Sequence, residues 1–271
     1  MKNILILFDL LNWRSRYIVD ALALRWTQAG HKVTKRFSTL DLPDADIVFL
    51  HIDRTVVPER YARCLQAYPV VINRHAVNIS KSFFSENLLS PNDPYDGPVI
   101  IKTDTNCGGV SDALRFGYLW SLFARKFHWQ SVSALNTNTY PVFEHKDEIP
   151  EAVWKNPRLI AEKFLPEKSD GLYYLRYWIF LGKKGWAGRF ASRDPIVKFG
   201  KMIAPEETAD IPDELRVWRE KLGFDYGRFD YTEHQGKIVL YDVNKTMGAG
   251  HHMEAYRERL DYLAEGINDF I

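Results

Sequence analysis

The chain has few cysteines and no long apolar run. Of its 271 residues only two are cysteine, Cys64 and Cys107, which excludes a disulfide framework and is typical of a protein in a reducing compartment. The N-terminal apolar run MKNILILF ends at Asp9, and the run YYLRYWIFLG carries Arg176. Both runs are too short to span a bilayer. We therefore expect a cytoplasmic protein that has no membrane partner.

An excess of charge of either sign is also missing. Lys and Arg number 36 against 35 Asp and Glu, which gives a formal net charge of +1. No global field therefore recruits nucleic acid, and any anionic ligand must be met by a local cluster of cations. Hydrophobic residues make up 46% and charged residues 26% of the chain, which is the composition of a globular protein rather than a disordered one.

What is present is an alternation of strand-like and helix-like segments. In residues 1–75, apolar runs such as NILILF and IVFLHI alternate with stretches of helical spacing such as residues 14–29, which predicts a small parallel α/β domain. Further strands follow (PVIIK, LIAEKF, YYLRYWIFLG, GWAGRF), then a hairpin, and a helix is predicted over residues 111–130. We predict an α/β (α+β) protein of three units, residues 1–75, 76–160 and 161–271.

The hairpin carries the most informative pattern, because its second strand, KIVLYDVN, ends in Asp242, Val243 and Asn244. Strand side chains alternate, so Asp242 and Asn244 point to the same face. If the hairpin turns around Gly236, Asp230 lies opposite Asp242. Oxygen ligands without Cys or His suit Mg²⁺ or Mn²⁺, although the same pattern also fits a strand that emerges into solvent.

Three further segments carry weaker signals. Lys102 ends the strand PVIIK ahead of Gly108 and Gly109, and such a lysine can grip a phosphate or simply be solvated. The segment AEKFLPE can offer backbone N–H and C=O groups to a flat heteroaromatic base, or be an ordinary edge strand. Arg176 lies in mid-strand, where a charge needs a partner or an anion unless the position is exposed. Cys107 has no evident local base, so we do not expect it to be a nucleophile.

These segments, in this order, resemble the ATP-grasp superfamily. PVIIK resembles the strand with the family's nucleotide-phosphate lysine, and LIAEKFLPE resembles the hinge that binds adenine. LRYWIF resembles the arginine-containing strand after that hinge, and RFDY…LYDVN resembles the Asp…Glu-x-Asn magnesium signature. The likeness covers roughly residues 70–250. It implies a small N-terminal α/β domain followed by two α+β subdomains that clamp a nucleotide.

The resemblance also implies a set of site residues. The ATP-binding residues would be Lys81, Lys102, Gly108, Gly109, Glu162, Lys163, Leu165, Glu167 and Asp170. The two lysines and two glycines would contact phosphates, the next three residues would bracket adenine, and one of the last two carboxylates would bind the ribose. The catalytic cations would be Arg176, Arg189 and Arg193, facing the γ-phosphate or the reacting carboxylate. The ligands of one or two Mg²⁺ (or Mn²⁺) would be Asp230, Asp242 and Asn244.

The activity that this resemblance implies is an ATP- and Mg²⁺-dependent carbon–nitrogen ligase. It would activate a small-molecule or peptide carboxylate as an acyl phosphate for attack by an amine, and release ADP and phosphate. Asp242 stands where the family commonly has Glu, and NKTMG replaces Asn-x-x-Pro-Gly. A kinase-like phosphotransferase and a non-catalytic nucleotide-binding regulator therefore stay open, as does a homo-oligomer. His251 and His252 fall where a second substrate would bind, or are a solvated pair.

Overall fold

The computed structural model of the protein describes residues 1–10, 16–109, 112, 129–198, 201–208, 210–249 and 256–271. The helix predicted over residues 111–130 lies almost entirely outside this part of the chain, and His251 and His252 also lie outside it. No helix within these ranges is long and apolar enough to cross a membrane.

The N-terminal unit is a parallel sheet covered by helices. Its strands, in the spatial order β2-β1-β3-β4, are β1 (Asn3–Phe8), β2 (Lys32–Arg36), β3 (Ile47–His51) and β4 (Val70–Ile72). Because successive side chains alternate, Ile4 and Ile6 pack in the core that contains helix α1 (Ile18–Gln28), whereas Leu5 and Leu7 pack in the core beside helix α2 (Glu59–Cys64). The predicted parallel α/β unit is confirmed.

A three-stranded antiparallel sheet follows. Its strands, in the order β6-β5-β7, are β5 (Val99–Thr103), β6 (Val142–Phe143) and β7 (Leu159–Lys163). Helix α3 (Lys81–Phe84) precedes this sheet, and helix α4 (Glu151–Trp154) adds Val153 to its core. The boundary predicted between residues 160 and 161 falls inside β7, so that strand belongs with β5 rather than with the C-terminal sheet.

The C-terminal half is a larger antiparallel sheet. Its six strands are β8 (Glu167–Ser169), β9 (Leu172–Leu181), β10 (Lys184–Ser192), β11 (Ile203–Thr208), β12 (Tyr226–His234) and β13 (Lys237–Asn244). They follow the order β11-β10-β9-β12-β13, with β8 beside β9. Two helices accompany the sheet, α5 (Asp213–Lys221) and α6 (Arg257–Ala264).

The β12–β13 hairpin sets the register of the predicted metal edge. Gln235 and Gly236 have φ values of 52° and 74°, the left-handed pair that a tight primed turn requires. Further along the hairpin, Tyr241 is an extra residue in β13, so the register shifts there and Asp230 pairs directly with Asp242. The predicted pairing of the two carboxylates is confirmed, and a β-bulge produces it.

The N-terminal layer and the six-stranded sheet share one hydrophobic core. The ring of Phe49 meets the ring of Tyr226 edge-on at 4.9 Å, and the indole N–H of Trp26 donates to Ala264 O at 2.9 Å. The opposite face of the six-stranded sheet carries a second core, which includes Trp178 and Phe229. The three-stranded sheet stands beside this assembly, and a cavity opens between it and the six-stranded sheet.

The segment after β13 is hydrogen-bonded to the N-terminal layer. The Thr246 hydroxyl donates to Asp53 at 2.9 Å, and Ile18 N donates to Met247 O at 2.9 Å. These bonds fix the end of β13, and with it the position of Asp242, relative to the parallel sheet.

Candidate active site

The candidate site is a cavity of about 240 Å³ between the two antiparallel sheets. Strand β5, the bend after β7, strands β12 and β13, and the segment 195–198 all contribute to its wall. The charged side chains that line it are Lys81, Lys102, Lys198, Asp230 and Asp242. The sequence therefore brings four predicted site residues to one place, from α3, β5, β12 and β13.

The two carboxylates are held differently. Both Nε and Nη2 of Arg228 lie 2.7 Å from Asp230 Oδ1. Burial, and repulsion from Asp242, raise the pKa of Asp230, although Arg228 opposes the shift. Asp242 Oδ1 is buried and has no hydrogen-bond partner among the described residues, and Lys81 Nζ is 3.7 Å from it. Asp242 thus has a buried, unsatisfied acceptor beside Lys81, while its side chain as a whole is about one-third exposed and lines the cavity.

This arrangement fits a hard divalent cation that takes only some of its ligands from the protein, rather than a metal site made entirely of protein ligands. No group of three His, Cys, Asp and Glu side chains in the described ranges is placed to hold a metal. The side-chain oxygen of Asn244 accepts the N–H of Thr246 at 2.8 Å, so it is already engaged in a local turn. Asp230 and Asp242 suit a Mg²⁺ ion that takes its other ligands from phosphate oxygens and water, whereas the part predicted for Asn244 stays a prediction.

Three lysines line the same cavity as the carboxylate pair. Lys102 Nζ lies 2.7 Å from Glu162 Oε2 and 4.5 Å from the centre of the Tyr241 ring. Lys81 is buried and donates to the Thr105 carbonyl at 3.0 Å. Desolvation lowers the pKa of Lys198, and the two cavity carboxylates counteract the shift. The cavity therefore contains a local cluster of cations, the feature that a chain of near-zero net charge needs for binding an anion.

The predicted glycine loop has a structural reason for its glycines. Cys107, Gly108 and Gly109 are all left-handed, with φ of 49°, 65° and 86°. A Cβ at Gly108 would lie 2.2 Å from Leu135 O, and one at Gly109 2.7 Å from Ser133 O. The close packing of the loop against residues 133–135 accounts for both glycines, and a phosphate contact from them stays a prediction.

Cys107 lines the cavity beside this loop. Desolvation of the thiolate and the nearby Asp242 carboxylate raise the pKa of Cys107 to about 12. The thiol is therefore protonated at neutral pH, in line with the expectation that it is not a nucleophile.

The bend after β7, predicted to bracket adenine, is already hydrogen-bonded to the protein. Leu165 N donates to the Tyr241 hydroxyl at 2.9 Å, and Leu165 O accepts the Thr232 hydroxyl at 3.1 Å. Lys163 and Leu165 line a separate groove on the other side of the bend, whereas Phe164 lines the cavity. Glu162 is buried and paired with Lys102, so two of the predicted adenine contacts, Glu162 and Leu165, are bonded to residues that line the cavity.

Two of the predicted catalytic arginines lie on the other face of the sheet. In the antiparallel ladders, Arg176 pairs with both Arg189 and Tyr231, whereas the neighbouring Tyr177 pairs with Asp230. Paired residues share a face and successive residues alternate, so Arg176 and Arg189 point away from the Asp230 side. Their roles toward a phosphate or carboxylate therefore stay predictions.

These arginines are paired with carboxylates. Arg176 holds Glu167 with two bonds, from Nε at 2.8 Å and from Nη2 at 2.7 Å, and Arg189 Nε donates to Glu206 at 2.7 Å. Arg193 is exposed beyond the end of β10. Asp170 is also exposed, in the β8–β9 turn. The ribose contacts predicted for Glu167 and Asp170 likewise stay predictions.

Two cavity residues, and one arginine that holds a cavity carboxylate, were not anticipated. Arg228 lies two residues before Asp230 on the same strand, and strand alternation alone could have identified it. Lys198 comes from an irregular segment that has no periodic pattern. Tyr241 enters the cavity because it is the bulged residue, and the strand-like run KIVLYDVN contains no sign of a bulge.

Comparisons with known proteins give likeness in structure without likeness in sequence. No family model matches the chain, and no curated protein matches it. It is similar to the structure of the macrocyclase MdnC bound with precursor peptide MdnA from Microcystis aeruginosa, with a TM-score of 0.57 and 11% identity over 97% of this chain and 98% of that one.

Two other solved structures are similar over nearly their whole length. The Chryseobacterium gregarium RiPP-associated ATP-grasp ligase, in complex with ADP and a leader and core peptide, has a TM-score of 0.55 and 10% identity over 100% of this chain and 98% of that one. The RimK domain protein ATP-grasp from Sphaerobacter thermophilus has a TM-score of 0.51 and 14% identity over 99% of both. At such identities the likeness establishes a shared fold.

Proposed function

Starting from the ATP-grasp fold of this chain, we propose that the protein is an ATP-dependent ligase that joins a carboxylate to an amine and releases ADP and phosphate. One observation carries the proposal, namely the convergence of three lysines and two carboxylates in a single cavity between the two antiparallel sheets. Its members are Lys81, Lys102, Lys198, Asp230 and Asp242.

The lysines have the chemistry to bind the phosphates of ATP. Transfer of a phosphoryl group needs little covalent help from the protein, because its barrier falls mainly through positioning and neutralisation of negative charge. Lys102 is held in place by Glu162 at 2.7 Å, and Lys81 by the Thr105 carbonyl at 3.0 Å. Their ammonium groups are therefore positioned before a nucleotide arrives.

Asp230 and Asp242 would hold Mg²⁺ at the phosphate end of the cavity. When bound, that ion supplies charge neutralisation on the phosphate oxygens. Arg228 holds Asp230 through Oδ1, so the remaining oxygen of Asp230 and the Asp242 carboxylate, whose Oδ1 has no hydrogen bond, are the acceptors left for a cation.

An acyl phosphate intermediate requires protection from water. The segment 195–198 forms part of the wall of the cavity, whose volume of about 240 Å³ is below the roughly 300–1,000 Å³ of ordinary small-molecule sites. A nucleoside triphosphate therefore needs the walls to separate, and their return then encloses the reacting groups.

We further propose that the carboxylate and the amine belong to peptides. Two similar structures, MdnC and the Chryseobacterium gregarium ligase, are described with bound peptides. The low cysteine content favours a cytoplasmic location for the reaction.

The test combines ATP, MgCl₂, hydroxylamine and a pool of short peptides that contain Asp, Glu and Lys. Release of ADP together with a peptide hydroxamate supports the ligase, because hydroxylamine captures an acyl phosphate. A phosphopeptide would indicate a kinase instead, and ATP binding without ADP release would indicate a regulator. Absence of ATP binding contradicts the proposal altogether.

The Asp242→Asn variant tests the site. We expect the rate of ADP release to fall at least 100-fold while the affinity for the nucleotide changes far less. The substitution removes a negative charge that would hold Mg²⁺, and the ion acts mainly on the charge that develops in the transition state. Asp213→Asn is the matched control, since the Asp213 side chain is 98% exposed and lies away from the cavity. Unimpaired turnover in Asp242→Asn would contradict the metal assignment.

A further inference from the structure

One polar group of the cavity wall takes no part in the contacts described so far. Tyr140 lines the cavity, and its hydroxyl makes no hydrogen bond to any residue in the described ranges. By comparison, the Tyr241 hydroxyl in the same wall accepts the Leu165 N–H at 2.9 Å. A partly buried phenol without a partner is explained most directly by a ligand that accepts its hydrogen bond.

The chain fixes the position of Tyr140 in that wall. The next residue, Pro141, accepts the N–H of Ile101 at 2.9 Å, and Ile101 directly precedes Lys102 in strand β5. Tyr140 is therefore attached to the strand that carries Lys102, so its place in the wall is set before a ligand arrives.

The surroundings of the Tyr140 side chain belong to the charge cluster of the site. Tyr140 leads into β6 and Lys198 follows β10, and Lys198 Nζ lies 5.7 Å from the centre of the Tyr140 ring. The two residues thus meet between the two antiparallel sheets. Burial, and repulsion from the nearby Asp242 carboxylate, raise the pKa of Tyr140. The phenol therefore keeps its proton at neutral pH and is a neutral donor next to Asp242.

We propose that Tyr140 is a further catalytic residue, whose hydroxyl donates a hydrogen bond to a non-bridging oxygen of the phosphoryl group that is transferred from ATP. The inference rests on the proposed ligase activity of the same cavity. In that step a carboxylate oxygen of the substrate forms a bond to the γ-phosphorus. The bond from this phosphorus to the β,γ-bridging oxygen breaks, and ADP leaves with the electron pair. The Tyr140 hydroxyl keeps its proton throughout and stabilises charge on the phosphoryl oxygens.

The cations of the same cavity indicate that the acceptor is an anion. Three lysines line this cavity of about 240 Å³, so an anion that meets their ammonium groups lies within reach of a phenol in the wall. A lysine ammonium is a point charge on a flexible stem, whereas a tyrosine side chain has only two rotatable angles. The Tyr140 hydroxyl can therefore orient the group that the lysines attract.

Tyr140→Phe removes the hydroxyl and keeps the ring beside Lys198. Loss of a dedicated donor to a developing oxyanion lowers kcat about 10²–10³-fold in other enzymes. Because three lysines share the charge here, we expect kcat for ADP release to fall about 10- to 100-fold. KM for ATP should change less than about threefold, since the bond strengthens in the transition state. No bond within the protein is lost, so the urea concentration at half unfolding should not decrease.

Tyr68→Phe is the matched control. The Tyr68 hydroxyl donates to Pro43 O at 2.9 Å in the N-terminal unit, away from the cavity. This variant should lose stability toward urea and keep its kcat. The two variants separate a catalytic hydroxyl from a structural one, because only removal of a structural hydroxyl lowers the urea midpoint.

The experiment measures initial rates of ADP release by the full chain with ATP, MgCl₂, hydroxylamine and the peptide pool of the ligase assay, together with urea unfolding of each variant. A fall of tenfold or more in kcat for Tyr140→Phe, with its stability intact and Tyr68→Phe active, supports the inference. A smaller fall overturns it, as does a change confined to KM or a fall that accompanies a loss of stability. A wild-type protein without turnover overturns the proposed function and this inference together, whereas an active wild type beside an unimpaired Tyr140→Phe overturns this inference alone.

Discussion

Removing one charge of the buried Lys102–Glu162 pair is expected to destabilise the protein strongly. The side chains are 8% and 1% exposed, and Nζ and Oε2 are 2.7 Å apart. In Glu162→Gln the ammonium of Lys102 stays buried without its counter-charge, a change that costs about 3–5 kcal/mol at comparable sites. The contact between Lys102 and the Tyr241 ring is present in both proteins and does not change this difference. We therefore expect a loss of about 3–5 kcal/mol in the free energy of unfolding.

Replacing both charges should cost less than replacing one. In Lys102→Met/Glu162→Leu no uncompensated charge is buried and side-chain volume is largely kept, so the expected loss is under about 1.5 kcal/mol. Glu59→Gln is the control, because it breaks the Glu59–Arg63 pair, whose side chains are 74% and 70% exposed. Such a surface pair contributes about 0.5 kcal/mol or less.

Urea unfolding at 25 °C, followed by the fluorescence of the eight tryptophans, measures all four proteins. The reasoning is refuted if Glu162→Gln loses less than about 1 kcal/mol, or if the double variant is as unstable as the single one. The first result would mean that the ammonium of Lys102 reaches water when its partner is removed. The second would mean that the uncompensated charge is not the main cost of the single substitution.

Three other predictions follow from the packing, the titration and the sheet faces. Gly108→Ala should lower the free energy of unfolding in urea by about 2–4 kcal/mol, because the new Cβ adds backbone strain at φ 65° and would lie 2.2 Å from a carbonyl oxygen. Gly171→Ala, at φ 76° with open space around it, adds only the strain and should cost about half as much. Equal losses in the two variants would contradict the clash. Burial lowers the pKa of His51 to about 3, so on acidification the unfolded chain takes up this proton before the folded protein does. The free energy of unfolding should therefore fall as the pH drops from 6.5 toward 3, by up to about 1.4 kcal/mol per pH unit. His51→Phe should flatten that slope. Arg228→Met should lower ADP release at least tenfold, whereas Arg176→Met, on the opposite sheet face, should change it less than threefold.

The β12–β13 hairpin illustrates how much of the site the sequence could predict. Strand alternation and the glycine at position 236 were sufficient to place Asp230 opposite Asp242. The turn itself, however, is closed by Gln235 and Gly236 together, and the extra residue Tyr241 shifts the register at the carboxylates. The predicted pairing of Asp230 with Asp242 is confirmed, but it depends on a bulge for which the local sequence contains no signal.

The arginine strand illustrates what the sequence could not predict. Arg176 was identified from its position in β9, yet the face it occupies depends on how β9 pairs with β12, about fifty residues away in the chain. Register between distant strands follows from the packing of both sheet faces rather than from local spacing. Lys198 was missed for a related reason, because an irregular segment has no period from which a side-chain direction can be inferred.

The core shared between the parallel sheet and the six-stranded sheet has a consequence for synthesis on the ribosome. The apolar face that includes Ile6 and Phe49 is completed by residues such as Tyr226 and Leu260, which are translated far later. At ordinary elongation rates the delay is on the order of ten seconds. During that time the nascent N-terminal sheet exposes an apolar surface, so we expect residues 1–75 expressed alone to aggregate and the full chain to depend on chaperones that bind nascent polypeptides.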